Sequence, residues 1–239
     1  MFDIHRHLPL ENELSIPTDW HIWFATSSPS EWATLQALPS NPRWKHGYGL
    51  SPQWLSANKI TNQLFEQLTQ LLQDDPSGYL GEFGLDDRYA KVFPLIQQIT
   101  IAKRLLHIAC DMGRPAVTHH VGSPALLFDL LEAAPTTIPI LIHGFLGSVE
   151  SARELHTRGC YISLGPRVWM QNTRLGKRLH DLALPFALET DFPFIPGKKA
   201  GPAEYQGIMK NHYTQIAKLL EVEHLEERFD ELTSVLTHW

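Results

Sequence analysis

The sequence predicts an α/β protein, a single (β/α)8 TIM-like barrel occupying residues 1–239. Three observations lead there. Short apolar runs recur along the chain and alternate with helical patterns or helix-sized gaps, as in a parallel sheet with helices packed outside it. Eight such units fit within 239 residues, and closed barrels of this kind fill about 250 residues, which favours them over an open doubly wound sheet. No linker, internal repeat or low-complexity stretch marks a second domain.

Taken in order, Phe2 to His7 reads as the first strand and Trp20 to Ala25 as the second. Ser30 can cap a short helix through Leu38, which Pro39 ends. A weaker third strand covers Trp44 to Gly49. Between Thr61 and Leu72, residues Leu64, Phe65, Leu68, Leu71 and Leu72 share one helical face. The fourth strand is Gly78 to Phe83. The longest helix runs from about Lys91 to Met112, with Pro94 in its first turn and Gly113 as its stop. Pro115 to His119 is the fifth strand, and a helix follows Ser123-Pro124 to about Ala134. Ile138 to His143 is the sixth strand, followed by a helix from Val149 to Arg158. Cys160 to Leu164 is the seventh, with a short helix over Thr173 to Leu182. Pro185 to Glu189 is the eighth. Two amphipathic helices, Ala203 to Leu220 and Leu225 to Leu236, close the chain.

Composition bounds the function. With 43% apolar and 19% charged residues the chain reads as globular rather than disordered. A net charge of −6 argues against the broad basic surface that long duplex nucleic acid requires, but not against a local phosphate site. Cys110 and Cys160 lack metal-type spacing and read as core thiols of a reducing compartment. No apolar run approaches the ~20 residues of a membrane span, and Met1 leads straight into a strand. The expected location is the cytoplasm, with no membrane partner.

Chemistry in such barrels sits at the carboxyl ends of the strands. The metal-capable residues at those ends are His5 and His7, Glu82, His119 with His120 beside it, His143 and Asp191. In Asp3-Ile4-His5-Arg6-His7, strand alternation places His5 and His7 on one face, with Asp3 below them. Neutral imidazoles at that spacing can grip one divalent ion. Any one of these side chains alone could be a satisfied or solvated residue; six ligand types at five strand ends point to a metal site. Four histidines and two carboxylates exceed the needs of one ion. Two ions about 3.5–4 Å apart would use them all, with Glu82 as the bridge. Such a pair lowers the pKa of bound water and yields hydroxide. The mixed ligand set suits Zn, Mn, Ni or, less well, Mg.

Five segments carry a resemblance. They are Asp3-Ile4-His5-Arg6-His7, Gly81-Glu82-Phe83-Gly84-Leu85-Asp86, Pro115-Ala116-Val117-Thr118-His119, His143-Gly144-Phe145-Leu146-Gly147 and Glu189-Thr190-Asp191-Phe192-Pro193. In order and spacing they resemble the motifs of the TatD family, metal-dependent hydrolases on a barrel related to the amidohydrolases, whose characterised members are DNases. The resemblance implies that His5, His7 and Asp191 bind one ion, that His119 and His143 bind the other, and that Glu82 is shared. Three positions depart from the family pattern: Pro9, Ser51 in Gly49-Leu50-Ser51-Pro52, and Val121 where an arginine is common.

The expected activity is therefore hydrolysis of phosphodiesters at single-stranded or frayed nucleic-acid ends by a metal-activated hydroxide, with Asp191 ligating and accepting a proton. Arg167 is the first candidate for a phosphate, through its planar fork. Arg6, Arg88, Lys198 and Lys199 are weaker candidates; His120 could reach substrate as a donor, and Trp169 could stack a base. Two alternatives stay open, a related barrel hydrolase acting on small esters, amides or phosphoesters, and a catalytically silent metal-binding barrel.

Overall fold

Eight strands, each hydrogen-bonded to the next in parallel, run in chain order around the molecule: β1 (Phe2–His7), β2 (His21–Ala25), β3 (Trp44–Tyr48), β4 (Gly78–Asp86), β5 (Ala116–Val121), β6 (Ile140–Ile142), β7 (Cys160–Leu164) and β8 (Ala187–Leu188). The ring is drawn together just beyond β8, where Asp191 N donates to His5 O at 3.0 Å and His7 N donates to Phe192 O at 2.8 Å. This computed structural model describes residues 1–8, 16–133, 137–170, 172–223 and 225. Among the described residues no helix is long and apolar enough to cross a membrane.

The helices are α1 (Pro29–Gln36), α2 (Pro52–Ala57), α3 (Asn62–Asp74), α4 (Leu95–Asp111), α5 (Pro124–Glu132), α6 (Val149–Thr157), the one-turn α7 (Arg167–Met170) and α8 (Arg174–Lys177), and α9 (Tyr205–Leu220). Two apolar layers result. Phe2, Ile4, Trp23, Tyr79, Val117, Leu141 and Ala187 form one cluster inside the barrel, and a larger one fills the space between strands and helices. Burying such faces is the main drive for the fold.

Several boundaries differ from the sequence expectation for physical reasons. Glu31, not Ser30, fixes the start of α1: its carboxylate accepts from Ser27 N and Ser28 N, so the helix begins at Pro29. Pro94 is the N-cap of α4 rather than part of its first turn, with ψ at 142°, and the helix starts at Leu95. The expected helix over Thr173 to Leu182 is two short pieces, α8 and a 3-10 turn at Leu179–Asp181. Helix α2 was not expected; Ser51 Oγ caps it by accepting from Trp54 N at 3.2 Å, with Pro52 at its first position. The departure at Ser51 is thus a helix cap. Pro9 and most of the expected helix from Leu225 to Leu236 lie outside the described residues.

Two register slips shape the barrel mouth. Between β1 and β2, Asp3 faces Ile22 but Arg6 faces Phe24, so β1 uses one extra residue. Between β4 and β5, Leu80 faces Ala116 but Phe83 faces Thr118, a second extra residue. An inserted residue interrupts strict alternation and re-aims the side chains after it. Ile4 belongs to the inner cluster, and His5, directly after it, also reaches the inner site; Glu82 follows Gly81 in the same way. Asp3 is therefore not below His5 and His7 on their face. Its carboxylate accepts from Thr190 N, Thr190 Oγ1 and Tyr205 OH on the helix side of the sheet. Strands β4 and β5 also run further than expected, to Asp86 and Val121, because Gly84, Leu85 and Asp86 pair with His119, His120 and Val121. Glu82 and His119 lie within strands rather than at their ends.

Candidate metal centre

Strands β1, β4 and β5 and the turns after β6 and β8 bring six side chains together. His5 Nε2 lies 3.3 Å from Glu82 Oε2 and 3.8 Å from Asp191 Oδ1. His7 Nε2 lies 3.4 Å from Asp191 Oδ1 and 3.7 Å from Glu82 Oε2. On the other side, His143 Nε2 is 3.7 Å from Glu82 Oε2 and 3.1 Å from His119 Nδ1. Glu82 Oε2 thus faces three imidazoles from both halves of the cluster. The rings of His5 and His143 stack, with centroids 3.9 Å apart.

Local structure holds these groups in place. Glu82 N donates to Thr26 O at 2.9 Å, and Gly49 N donates to Thr26 Oγ1 at 3.1 Å, so β2 and the end of β3 clamp the Glu82 backbone. A Cβ at Gly49 would lie 2.1 Å from Glu82 N, so only glycine fits there. Asp191 adopts the left-handed conformation (φ 54°), which aspartate tolerates better than most residues. The conformation is held by the Asp191 N bond to His5 O and by Phe194 N donating to Asp191 O at 2.7 Å.

Two further carboxylates stand behind the histidines. Asp86 Oδ2 is 3.1 Å from His119 Nε2, and Arg88 clamps the same carboxylate through Nε and NH2. Glu189 Oε1 is 3.4 Å from His143 Nδ1, while the Ser163 hydroxyl donates to Glu189 Oε2. Each fixes the ring nitrogen opposite the one facing the cluster, as carboxylates behind metal-bound histidines do.

The donor set fits a divalent cation. His5 is fully buried, and neither of its ring nitrogens completes a hydrogen bond, a costly arrangement for an imidazole without another partner. Triads of ligand atoms from His5, His7 and Glu82, from Glu82, His119 and His143, and from His5, His143 and Asp191 each lie within 4.8 Å of one another. The electrostatics hold Glu82, Asp191 and His5 in their ligating forms, while the surrounding carboxylates raise His7 and His143. Burial would raise the Glu82 carboxyl, yet His5, His119, His7 and His143 hold it well below the usual carboxylate range. Burial opposes ionisation of Asp191 too, and the His7 bond together with the charges of His143, His7 and His5 outweighs it. Burial and the neighbouring His143 push His5 below its ordinary value, towards the neutral, ligating form.

His7, Glu82, His119, His143 and Asp191 line a cavity of about 660 Å³, together with Arg88, His120, Val121, Arg167 and Phe194; His5 lies buried behind them. A sequence profile of the TatD related DNases matches residues 20–237. The chain belongs to the TatD related DNase family. Among its relatives, an uncharacterized metal-dependent hydrolase of Methanocaldococcus jannaschii is 28% identical over 174 residues, covering 69% of this chain and 64% of that protein. The 3'-5' ssDNA/RNA exonuclease TatD of Cronobacter sakazakii is 30% identical over 132 residues, covering 52% of this chain and 48% of that protein. The chain thus matches less than two thirds of the length of either relative. In fold it resembles a hydrolase TatD family protein from Entamoeba histolytica, with a TM-score of 0.75 and 14% identity over 93% of this chain and 92% of that one.

For this TatD-family chain, all six ligand candidates named from sequence (His5, His7, Glu82, His119, His143 and Asp191) meet at one point. Arg167 and His120 line the cavity above them. Both ring nitrogens of His120 are out of solvent and complete no hydrogen bond with the described residues; burial and His119 hold it below its ordinary value. Four other candidates are elsewhere engaged, Arg88 being the one already placed on Asp86. Arg6 is fully buried, with its guanidinium 4.0 Å from the Tyr205 ring centroid and 4.9 Å from that of Phe192, and cannot meet a phosphate. Lys198 pairs with Glu204. Trp169 Nε1 donates to His212 Nδ1 at 2.8 Å, so its indole packs towards α9 and not into the mouth. Sequence reasoning missed Asp86 and Glu189 as supporting carboxylates. The signal available was their place in the same two motifs as Glu82 and Asp191.

Proposed function

We propose that a single barrel domain spanning this chain is a divalent-metal-dependent hydrolase acting on phosphodiesters at single-stranded or frayed nucleic-acid ends. The observation that carries the reading is the meeting of four imidazoles and two carboxylates, five of which line one open cavity while His5 lies buried behind them. His5, His7 and Asp191 would hold one ion and His119 and His143 the other, with Glu82 shared; the mixed nitrogen and oxygen donors suit Zn, Mn, Ni or Mg. Bound there, such ions supply Lewis acidity, acidifying water and stabilising charge on a phosphoryl oxygen.

The chain's own groups do the rest. Asp191 Oδ1 belongs to a carboxylate 29% exposed towards the cavity and held ionised, so it accepts the proton of the attacking water. Asp86 and Glu189 keep the rings of His119 and His143 in register. Arg167, exposed at the rim and without a carboxylate partner among the described residues, binds a phosphate oxygen. A turn of the His120 ring towards the cavity would let it donate a hydrogen bond to the substrate. The name of the Cronobacter sakazakii relative supports the choice of nucleic acid. The thiols Cys110 and Cys160, which form no disulfide among the described residues, support a reducing compartment, the cytoplasm.

Val121 favours a second reading. It puts an apolar surface in the cavity where the family often carries a cation, which suits small esters, amides or phosphoesters. One substrate panel with Mn-loaded protein separates the two. Shortening of a single-stranded oligonucleotide from one end supports the nuclease. Turnover of carboxyl esters or amides with oligonucleotides untouched overturns it. Metal analysis giving about two equivalents of bound ion is the companion result.

A further inference from the structure

Of the large apolar side chains exposed among the described residues (Val92, Ile96, Met170 and Phe194), only Phe194 lines the cavity. Its side chain is 49% exposed, although an apolar ring of that size is ordinarily buried. It stands on a small antiparallel hairpin beyond the barrel, β9 (Phe194–Ile195) paired with β10 (Lys198–Lys199), and its register partner is Lys199. The hairpin is fixed to the metal centre at its base. Phe194 N donates to Asp191 O at 2.7 Å, and Ala200 N donates to Pro193 O at 2.8 Å. The Phe194 ring meets that of His7 at 89°, with centroids 4.8 Å apart.

We propose that Phe194 is a nucleobase platform, a specificity-determining residue on which the base next to the scissile phosphodiester stacks. This rests on the reading of the cavity as a nucleic-acid-end site. The chemistry follows from what surrounds the ring. Every base has a π-face, so an exposed phenyl beside a phosphate site selects for nucleotides over simple phosphoesters without choosing among bases. The platform is three residues from Asp191 and touches His7, so a base on it belongs to the nucleotide being released or to its neighbour. Lys199 Nζ, 6.0 Å from the Phe194 centroid, adds a cation for the adjoining phosphate. Trp169, the aromatic that sequence alone suggested for stacking, is committed to His212.

The test compares two ligands that differ only in the base, 2′-deoxyadenosine 5′-monophosphate and 2-deoxyribose 5-phosphate, by calorimetry on Mn-loaded protein. The wild type should bind the nucleotide about tenfold or more tightly than the sugar phosphate. In Phe194→Ala that preference should vanish, and in Phe194→Tyr it should return. A ring that merely shields His7 would change metal content and affinity for both ligands alike. Equal binding of the two ligands by the wild type, or an unaltered preference in Phe194→Ala, overturns the platform. Oligonucleotide cleavage run in parallel separates the two ideas: cleavage without base preference sinks the platform alone, and base preference without cleavage sinks the nuclease reading alone.

Discussion

Replacing Gly49 by alanine tests how tightly the barrel grips Glu82. A Cβ at that position would stand 2.1 Å from Glu82 N, 2.3 Å from Glu82 O and 2.3 Å from Thr26 O. All three are backbone atoms, two in β4 and one just beyond β2, so no side chain can swing aside. Ordinary contact begins near 3.4 Å, so the backbone after β3 and that of β4 must part by about 1 Å. Overpacking of this kind costs about 1–3 kcal/mol, and losing the bond from Glu82 N to Thr26 O adds about 1 kcal/mol. At about 2–4 °C per kcal/mol for a chain of this size, Gly49→Ala should melt roughly 5–15 °C below wild type. The same displacement moves Glu82 relative to four imidazoles, and about 1 Å of misplacement can cost on the order of 100-fold in turnover. Differential scanning calorimetry and initial rates on the substrate found in the panel are the assays. A variant that melts within a degree or two of wild type and turns over normally would refute the clamp.

Gly207, in α9 with nothing within 4 Å of an added Cβ, should respond in the opposite direction; Gly207→Ala should gain up to about 1 kcal/mol from helix propensity, read as a higher melting temperature. Glu82→Ala should abolish hydrolysis and lower the bound-metal stoichiometry while the far-UV circular dichroism spectrum stays that of wild type; undiminished hydrolysis would remove its bridging role. Asp86→Asn and Glu189→Gln should each lower metal affinity or turnover about 10–100-fold by freeing a histidine ring, which equilibrium metal titration would detect. The last prediction concerns acid stability. Burial would raise Asp75, but His46 at 2.7 Å, Ser77 and Tyr48 hold its carboxyl well below the usual range. With the folded value depressed, its contribution is full above the unfolded value of about 3.9 and is lost as pH falls towards the folded one. The stability gap between wild type and Asp75→Asn should therefore shrink between about pH 5 and pH 2 in urea melts; a constant gap would exclude the linkage.

The alternation of strands and helices, and the ligand types near the strand ends, could be read from residue order because both depend on local pattern. Facing directions could not. Period-two alternation puts Asp3 with His5 and His7, whereas the slip after Asp3 sends its carboxylate to Thr190 and Tyr205. A slip is set by the pairing with β2, and nothing in Phe2–His7 alone announces it. Arg6 and Arg167 are the same residue type, each near a strand end. Only packing shows that one lies against Tyr205 and the other at an open rim. The exchange of Trp169 for Phe194 as the mouth aromatic has the same origin, since a one-turn helix gives no periodicity from which to read its buried side. Helix α2 is different, because Ser51-Pro52 carried a cap and a first-turn proline that were there to be read.

The two slips also explain how a barrel this narrow holds both an apolar filling and a dense polar site. Strict alternation over Phe2–His7 would turn only three of six side chains inward, and the set containing Ile4 would leave His5 and His7 outside. With one residue inserted, Phe2 and Ile4 join the inner apolar cluster while His5 and His7, above them, reach Glu82 and Asp191. Strand β4 repeats the device, with Tyr79 in the inner cluster and Glu82 at the site. The neighbouring Gly81 supplies the room, since a Cβ there would meet the Tyr79 ring at 2.7 Å. An apolar layer then lies directly beneath the charged one, and its low polarity strengthens the attraction between Glu82 and a bound cation. The slips are therefore part of the candidate metal centre as much as its six side chains are: a strand returned to regular pairing would keep every one of those residues and lose the cluster.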